Sequence, residues 1–100
     1  MTDNDHEDLI KATADENEIS DFLRSNDFMK LGQALSHRNW QIAVMTAQRM
    51  QKEAARLGLD VFARQLTGIR QCAMQKQEKQ AKDILALIIA KRVQMIKTVT

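Results

Sequence analysis

From Trp40 to Leu57 the apolar residues Trp40, Ala43, Ala47, Met50, Ala54 and Leu57 fall three and four apart without a break. That rhythm places all six along one side of an α-helix and along neither face of a strand. Gly58 follows at once, where a left-handed residue ends a helix. No proline occurs in the 100 residues, so nothing in the chain forbids long helices. With 44% hydrophobic residues but only four aromatics and few β-branched runs, a sheet is disfavoured, and one small all-α domain can bury its core.

The same reading extends to both sides. Phe28, Leu31 and Leu35 predict a helix over Asp27 to His37, with Ser25, Asn26 and Asp27 offering N-cap oxygens. Asn39 is placed to cap the helix that starts at Trp40, and Asp60 to cap a third. The apolar face of the third is Val61, Phe62, Leu66, Ile69 and either Ala73 or Cys72, and Gln75-Lys76-Gln77 ends it. The last helix runs from Glu78 to Lys97 with Ala81, Ile84, Leu85, Ile88, Ile89, Val93 and Ile96 in a stripe broad enough for two neighbours. Short connections between four such helices predict an antiparallel four-helix bundle. Gly32 and Gly68 fall inside these helices at up to about 1 kcal/mol each relative to alanine, which close helix contact would explain. No internal repeat is visible.

Ahead of the bundle, which spans residues 19–100, lies an acidic N-terminal segment, residues 1–18. It carries only Leu9, Ile10 and a few alanines to bury and reads as a loose arm in which a helical turn over Glu7 to Ala14 is allowed. Ile19, Phe22 and Leu23 then suggest a short amphipathic turn. Charge is graded: residues 1–27 hold nine Asp or Glu against Lys11 and Arg24, and residues 49–100 hold eleven Lys or Arg against four acids. The formal net charge is only +2, and no aromatic is interleaved with the basic residues, which argues against nucleic acid. Cys72 is the single cysteine, so no internal disulfide and no thiol zinc site or redox pair can form. The polar, acidic start is unlike a secretory signal, and the longest apolar run, Ile84 to Ala90, is far short of the ~20 residues a span needs. A cytoplasmic location follows as the expectation. Glycine-rich phosphate loops, zinc-binding His-Glu-x-x-His and nucleophile elbows are absent, so no enzyme, cofactor or metal is expected.

The central segment also carries a resemblance. Leu31, Ala34 and Leu35, then His37-Arg38-Asn39-Trp40, then Ala47-Gln48-Arg49-Met50, then Ala54-Ala55-Arg56-Leu57-Gly58 resemble the approach and acceptor helix of histidine-containing phosphotransfer (HPt) domains. In that family the pattern is roughly Gly-Asp-Trp, seven residues, then His-x-Leu-Lys-Gly-x-Ala-x-x-Leu-Gly. Met50, Ala54, Leu57 and Gly58 match its packing positions, as do Phe62 and Ile69 in the next helix, and the likeness covers about Asp27 to Lys97. Gln48 stands at the phosphoacceptor position, Gln51 at the motif lysine and Lys52 at the motif glycine. The resemblance therefore implies an HPt-type bundle that keeps the core and lacks the chemistry. A glutamine amide is no useful nucleophile at neutral pH, whereas imidazole is.

On the Gln48 side, Val44, Met45, Gln48, Gln51, Lys52 and Ala55 share a stripe expected to be exposed, and Arg49, Lys52 and Arg56 form a basic row beside it. The functional expectation is a non-catalytic signalling protein that docks a two-component partner, a response-regulator receiver or a histidine kinase, through this face. The plainer account of the stripe is that the arm covers Val44 and Met45, and of the row that it is a solvated surface. Two other readings stay open. One is a true phosphotransfer protein using a non-standard histidine such as His37, with Arg38 to balance phosphoryl charge. The other is a structural or self-associating bundle whose likeness to HPt is architectural only. Trp40 and Met95 read as core residues, and Cys72 as a small buried hydrophobe.

Overall fold

The computed structural model describes residues 16–99, with side chains as far as Lys97. Helical residues 16–23 form α1, followed by α2 (Asp27–Ser36), α3 (Trp40–Arg56), α4 (Asp60–Met74) and α5 (Glu78–Val99). No strand occurs among the described residues. Helices adjacent in the chain pack on one another and α2 also packs on α5, so α2 to α5 close into a ring around one core. The expected boundaries are met within two residues at each of these four helices. The line drawn between residues 18 and 19 falls inside α1, a longer helix than the single turn expected there. Residues 1–15, including the turn considered over Glu7 to Ala14, lie outside the described residues.

Each of the three connections between α2 and α5 closes with the same hydrogen bonds. The amides of Arg38, Gly58 and Lys76 donate to the carbonyls of Leu35, Ala55 and Ala73, and those of Asn39, Leu59 and Gln77 donate to Ala34, Ala54 and Cys72. This paired pattern is the Schellman motif, which needs a left-handed residue at the first of the two positions. Gly58 adopts it at φ 76°, as its place in the sequence predicts, but Arg38 and Lys76 adopt it too, at 56° and 57°. The next helix starts from the second residue: Asn39, Leu59 and Gln77 accept from the amides of Ala43, Ala63 and Ala81. The chain thus repeats a turn without repeating a sequence, since Arg, Gly and Lys all serve at the left-handed position.

Capping follows the sequence in part. Asn39 Oδ1 accepts from the Ile42 amide at 3.4 Å, and Ser25 Oγ accepts from the Asp27 amide at 3.0 Å. Asp60 does not cap α4: Leu59 occupies the N-cap without a side-chain bond, and Asp60 is the first helical residue. There its charge faces the helix N-terminus, where the macrodipole favours an anion.

The buried set is Phe22 and Leu23 of α1, Phe28, Leu31, Ala34 and Leu35 of α2, Ala43, Ala47, Met50 and Ala54 of α3 with Leu57 after it, and four predicted residues of α4 with Ala81, Leu85 and Ile88 of α5. In α4, Ala73 is buried and Cys72 only partly so, whereas Val61 is 39% exposed and Ala63 takes its expected place. Trp40, Ile84, Met95 and Ile96 pack against the core as partly buried residues. The α5 stripe is less covered than its apolar length suggests, because Ile89 and Val93 stay exposed. Ile89 borders an open groove on that flank with Phe28 and Met29 of α2 across from it, so α2 reaches Ile89 without covering it.

Both helix-interior glycines face α5. A methyl group at Gly32 would meet Leu85 Cδ2 at 3.5 Å, and one at Gly68 would meet Ile84 Cδ1 at 3.3 Å. Adjacent residues of α5 are therefore approached closely from α2 on one side and α4 on the other. Phe22 joins α1 to this body, with its ring 5.5 Å from Phe28 edge to face and 6.3 Å from Phe62.

Candidate docking face

Helix α3 turns Ala43, Thr46, Ala47, Met50 and Ala54 inward, which leaves its outer side to the predicted stripe. Met45 is 58% exposed, and Lys52 and Ala55 are exposed as well. Val44 is half-buried and packs against the core, and Gln48 and Gln51 are half-buried too. At 100° per residue, Val44 and Gln51 lie closest to the buried line, so they form the flank of the stripe and Met45 with Lys52 its crest.

The basic row is divided among ion pairs. Arg49 donates to Asp27 Oδ1 at 2.6 Å, which ties the middle of α3 to the start of α2. Arg56 bonds Glu18 of α1 and, through Nε, Glu53 Oε1 at 2.7 Å. Those two partners, Glu18 first, hold its guanidinium more firmly protonated than usual. Lys52 alone of the three has no such partner among the described residues. All these pairs are solvent-exposed, so each contributes little to stability. They nevertheless withdraw two of the three cations from an incoming partner.

His37 ends α2 as its C-cap, exposed. Arg38, the cation next to it, donates from Nε to Glu78 Oε1 at 2.9 Å, so the group expected to balance a phosphoryl charge is already engaged. The other histidine of the sequence, His6, lies outside the described residues. No cluster of three metal-ligating side chains forms among the described residues. No helix there is long and apolar enough to cross a membrane.

A feature that the sequence reading passed over is an open groove between α2 and α3, about 580 Å³ in volume. Ala34, Ile42, Met45 and Thr46 form its apolar part, with Lys30, His37 and Arg49 among its polar lining. Ile42, Met45 and Arg49 follow one another at helical spacing, a second line beside the buried seam that could have been read from the sequence. Lys30 could not, because only the packing of α2 on α3 brings it there. A second groove lies on the other flank of α2, against Leu85, Ala86 and Ile89 of α5, and shares Gln33 and His37 with the first.

No family model, curated protein or solved structure matches this chain.

Proposed function

We propose that the chain is a non-catalytic signalling module, an antiparallel bundle of HPt type that docks a response-regulator receiver or histidine kinase through the α3 face around Gln48. The observation that carries this reading is the exposed Met45 beside Gln48. An apolar side chain stands in solvent next to the residue occupying the phosphoacceptor position, on a helix whose opposite side is fully buried. The resemblance supplies the partner class: HPt domains engage receivers through apolar residues around their histidine. Without that imidazole the partner is bound and not phosphorylated, so the outcome is sequestration or scaffolding in the cytoplasm.

The test compares wild type with a Met45→Glu, Lys52→Glu variant in capture from lysate, the retained proteins being identified by mass spectrometry. Both substituted residues are exposed, so the variant should fold and melt as wild type does. Receiver or kinase proteins retained by wild type alone support the reading. Equal retention by both, or capture without any two-component protein, overturns it.

A further inference from the structure

We propose that the outer side of α5 around Ile88 packs against a second copy of this chain, whose own α5 runs antiparallel to the first. From Ile84 to Ala90 seven residues in succession are apolar, nearly two turns, so no side of the helix is polar there. A helix that is apolar all round is one that neighbours cover all round. Leu85 and Ile88 are buried within the bundle, and Ile84 lies against Gly68 of α4. Ala86, Leu87, Ile89 and Ala90 are exposed instead. Val93 continues them at 43% exposure, and Met29 of α2, 62% exposed, lines the same groove as Ile89.

Two observations select a copy of the chain as the occupant. The first is symmetry. Ala86-Leu87-Ile88-Ile89-Ala90 reads almost the same in both directions, so an antiparallel α5 presents the surface that it receives. At 100° per residue, Ala86 and Ala90 lie along the crest of the strip, with Leu87 about 80° to one side and Ile89 about 80° to the other. A twofold axis at Ile88 therefore sets Ala86 against Ala90 of the copy, two small side chains that let the helices approach closely. The two Leu87 side chains then meet on one flank and the two Ile89 side chains on the other. Such a self-matching patch is what a twofold contact requires.

The second is charge. A surface that meets its own copy brings like charges together, so net charge on it opposes pairing. At the start of the strip the charges are compensated within the chain: Lys79 Nζ bonds Asp83 Oδ2 at 3.0 Å, and Lys82 Nζ bonds Glu78 Oε2 at 2.7 Å. Beyond Ala90, Lys91 turns toward α4, where it lines a depression with Asp60 and Val61, and Arg92 is drawn inward to the Leu23 carbonyl. The inference does not depend on the two-component reading. Helices α3 and α5 lie diagonally across the ring, so pairing through α5 leaves the Gln48 face of each copy open. If both hold, one dimer presents two docking faces and binds partners in pairs.

The experiment is sedimentation velocity of the full chain from low micromolar to near-millimolar concentration. The expected result is a monomer–dimer equilibrium that Ala90→Glu weakens at least about tenfold, because it brings an acid from each copy into the contact. Leu87→Glu, at a residue 62% exposed, serves if the first variant fails to fold by circular dichroism. Direction is read with a short bismaleimide in a Cys72→Ala background. Leu87→Cys should crosslink between copies, since residues one place from the axis lie about 3 Å apart along the helices, whereas Lys79→Cys should not, being about 27 Å from its equivalent. A chain that stays monomeric, as it would if its own residues 1–15 or another protein covered the strip, overturns the proposal. A dimer indifferent to both glutamate variants, or crosslinking at position 79 to match that at 87, overturns it as well.

Discussion

Lys76 is a lysine at φ 57°, a conformation that disfavours every residue with a Cβ and leaves glycine indifferent. Its side chain is exposed, so replacing it removes no packing. Lys76→Gly should therefore stabilise the protein by about 0.5–1 kcal/mol, read as a shift in urea midpoint at unchanged slope. Gly58→Ala at the equivalent turn should lose about 1 kcal/mol, although nothing lies within 4 Å to obstruct the methyl group. The opposite signs at two equivalent positions isolate backbone conformation from contact. Gly58 was legible because glycine announces the left-handed turn. Arg38 and Lys76 were not, because neither residue type favours that geometry, and only the hydrogen bonds of the turn impose it.

Between elements, the connection from α2 to α3 is held to the start of α5 by Glu78. Hydrogen bonds from Lys82, and secondly from Arg38, hold its carboxyl below the ordinary value of 4.5. A depressed carboxylate contributes stability above its unfolded pKa and loses it as pH falls through the folded one. Glu78→Gln should thus melt below wild type at neutral pH, and the gap should narrow as pH drops below about 4.5. A gap constant across that range would contradict the assignment. At the other end of α5, Arg92 Nε donates to the Leu23 carbonyl oxygen, and the guanidinium stands 5.0 Å over the Phe28 ring. Arg92→Met keeps the apolar stem and should lose about 1–2 kcal/mol. Amide exchange should quicken first in residues 20–24, which α1 closes through the Arg24 to Ser20 bond. The apolar rhythm of α2 to α5 was readable, but this clamp was not, since it joins residues 69 apart and leaves no local pattern.

For the molecule as a whole, the body measures 52 × 23 × 18 Å, and its core and its candidate face occupy opposite sides of one helix. That separation makes stability and docking independently adjustable. Met50→Ala, which empties space at a residue 1% exposed, should destabilise by about 2–5 kcal/mol and lower the melting temperature by at least about 10 °C. The Met45→Glu, Lys52→Glu variant should melt within about 2 °C of wild type, since exposed sites away from the core change stability by only tenths of a kcal/mol. A large fall in the second variant would mean that the α3 crest is packed, which would remove the candidate face.

The sequence by itself determined the four helices, their ends and most of the core. Those features follow from local rules: a 3.6-residue period selects a face, and Gly58 and Asn39 mark termini. It also named the exposed crest of α3, because whatever lies opposite a buried seam faces water. Only the tertiary structure decided that Arg49 and Arg56 are bound to acids of α2 and α1, that Val61 yields to Ala63, that Ile89 and Val93 stay exposed on α5, and that a groove opens between α2 and α3. Each of these depends on the relative rotation and length of helices in contact, and no single helix encodes that in its own periodicity.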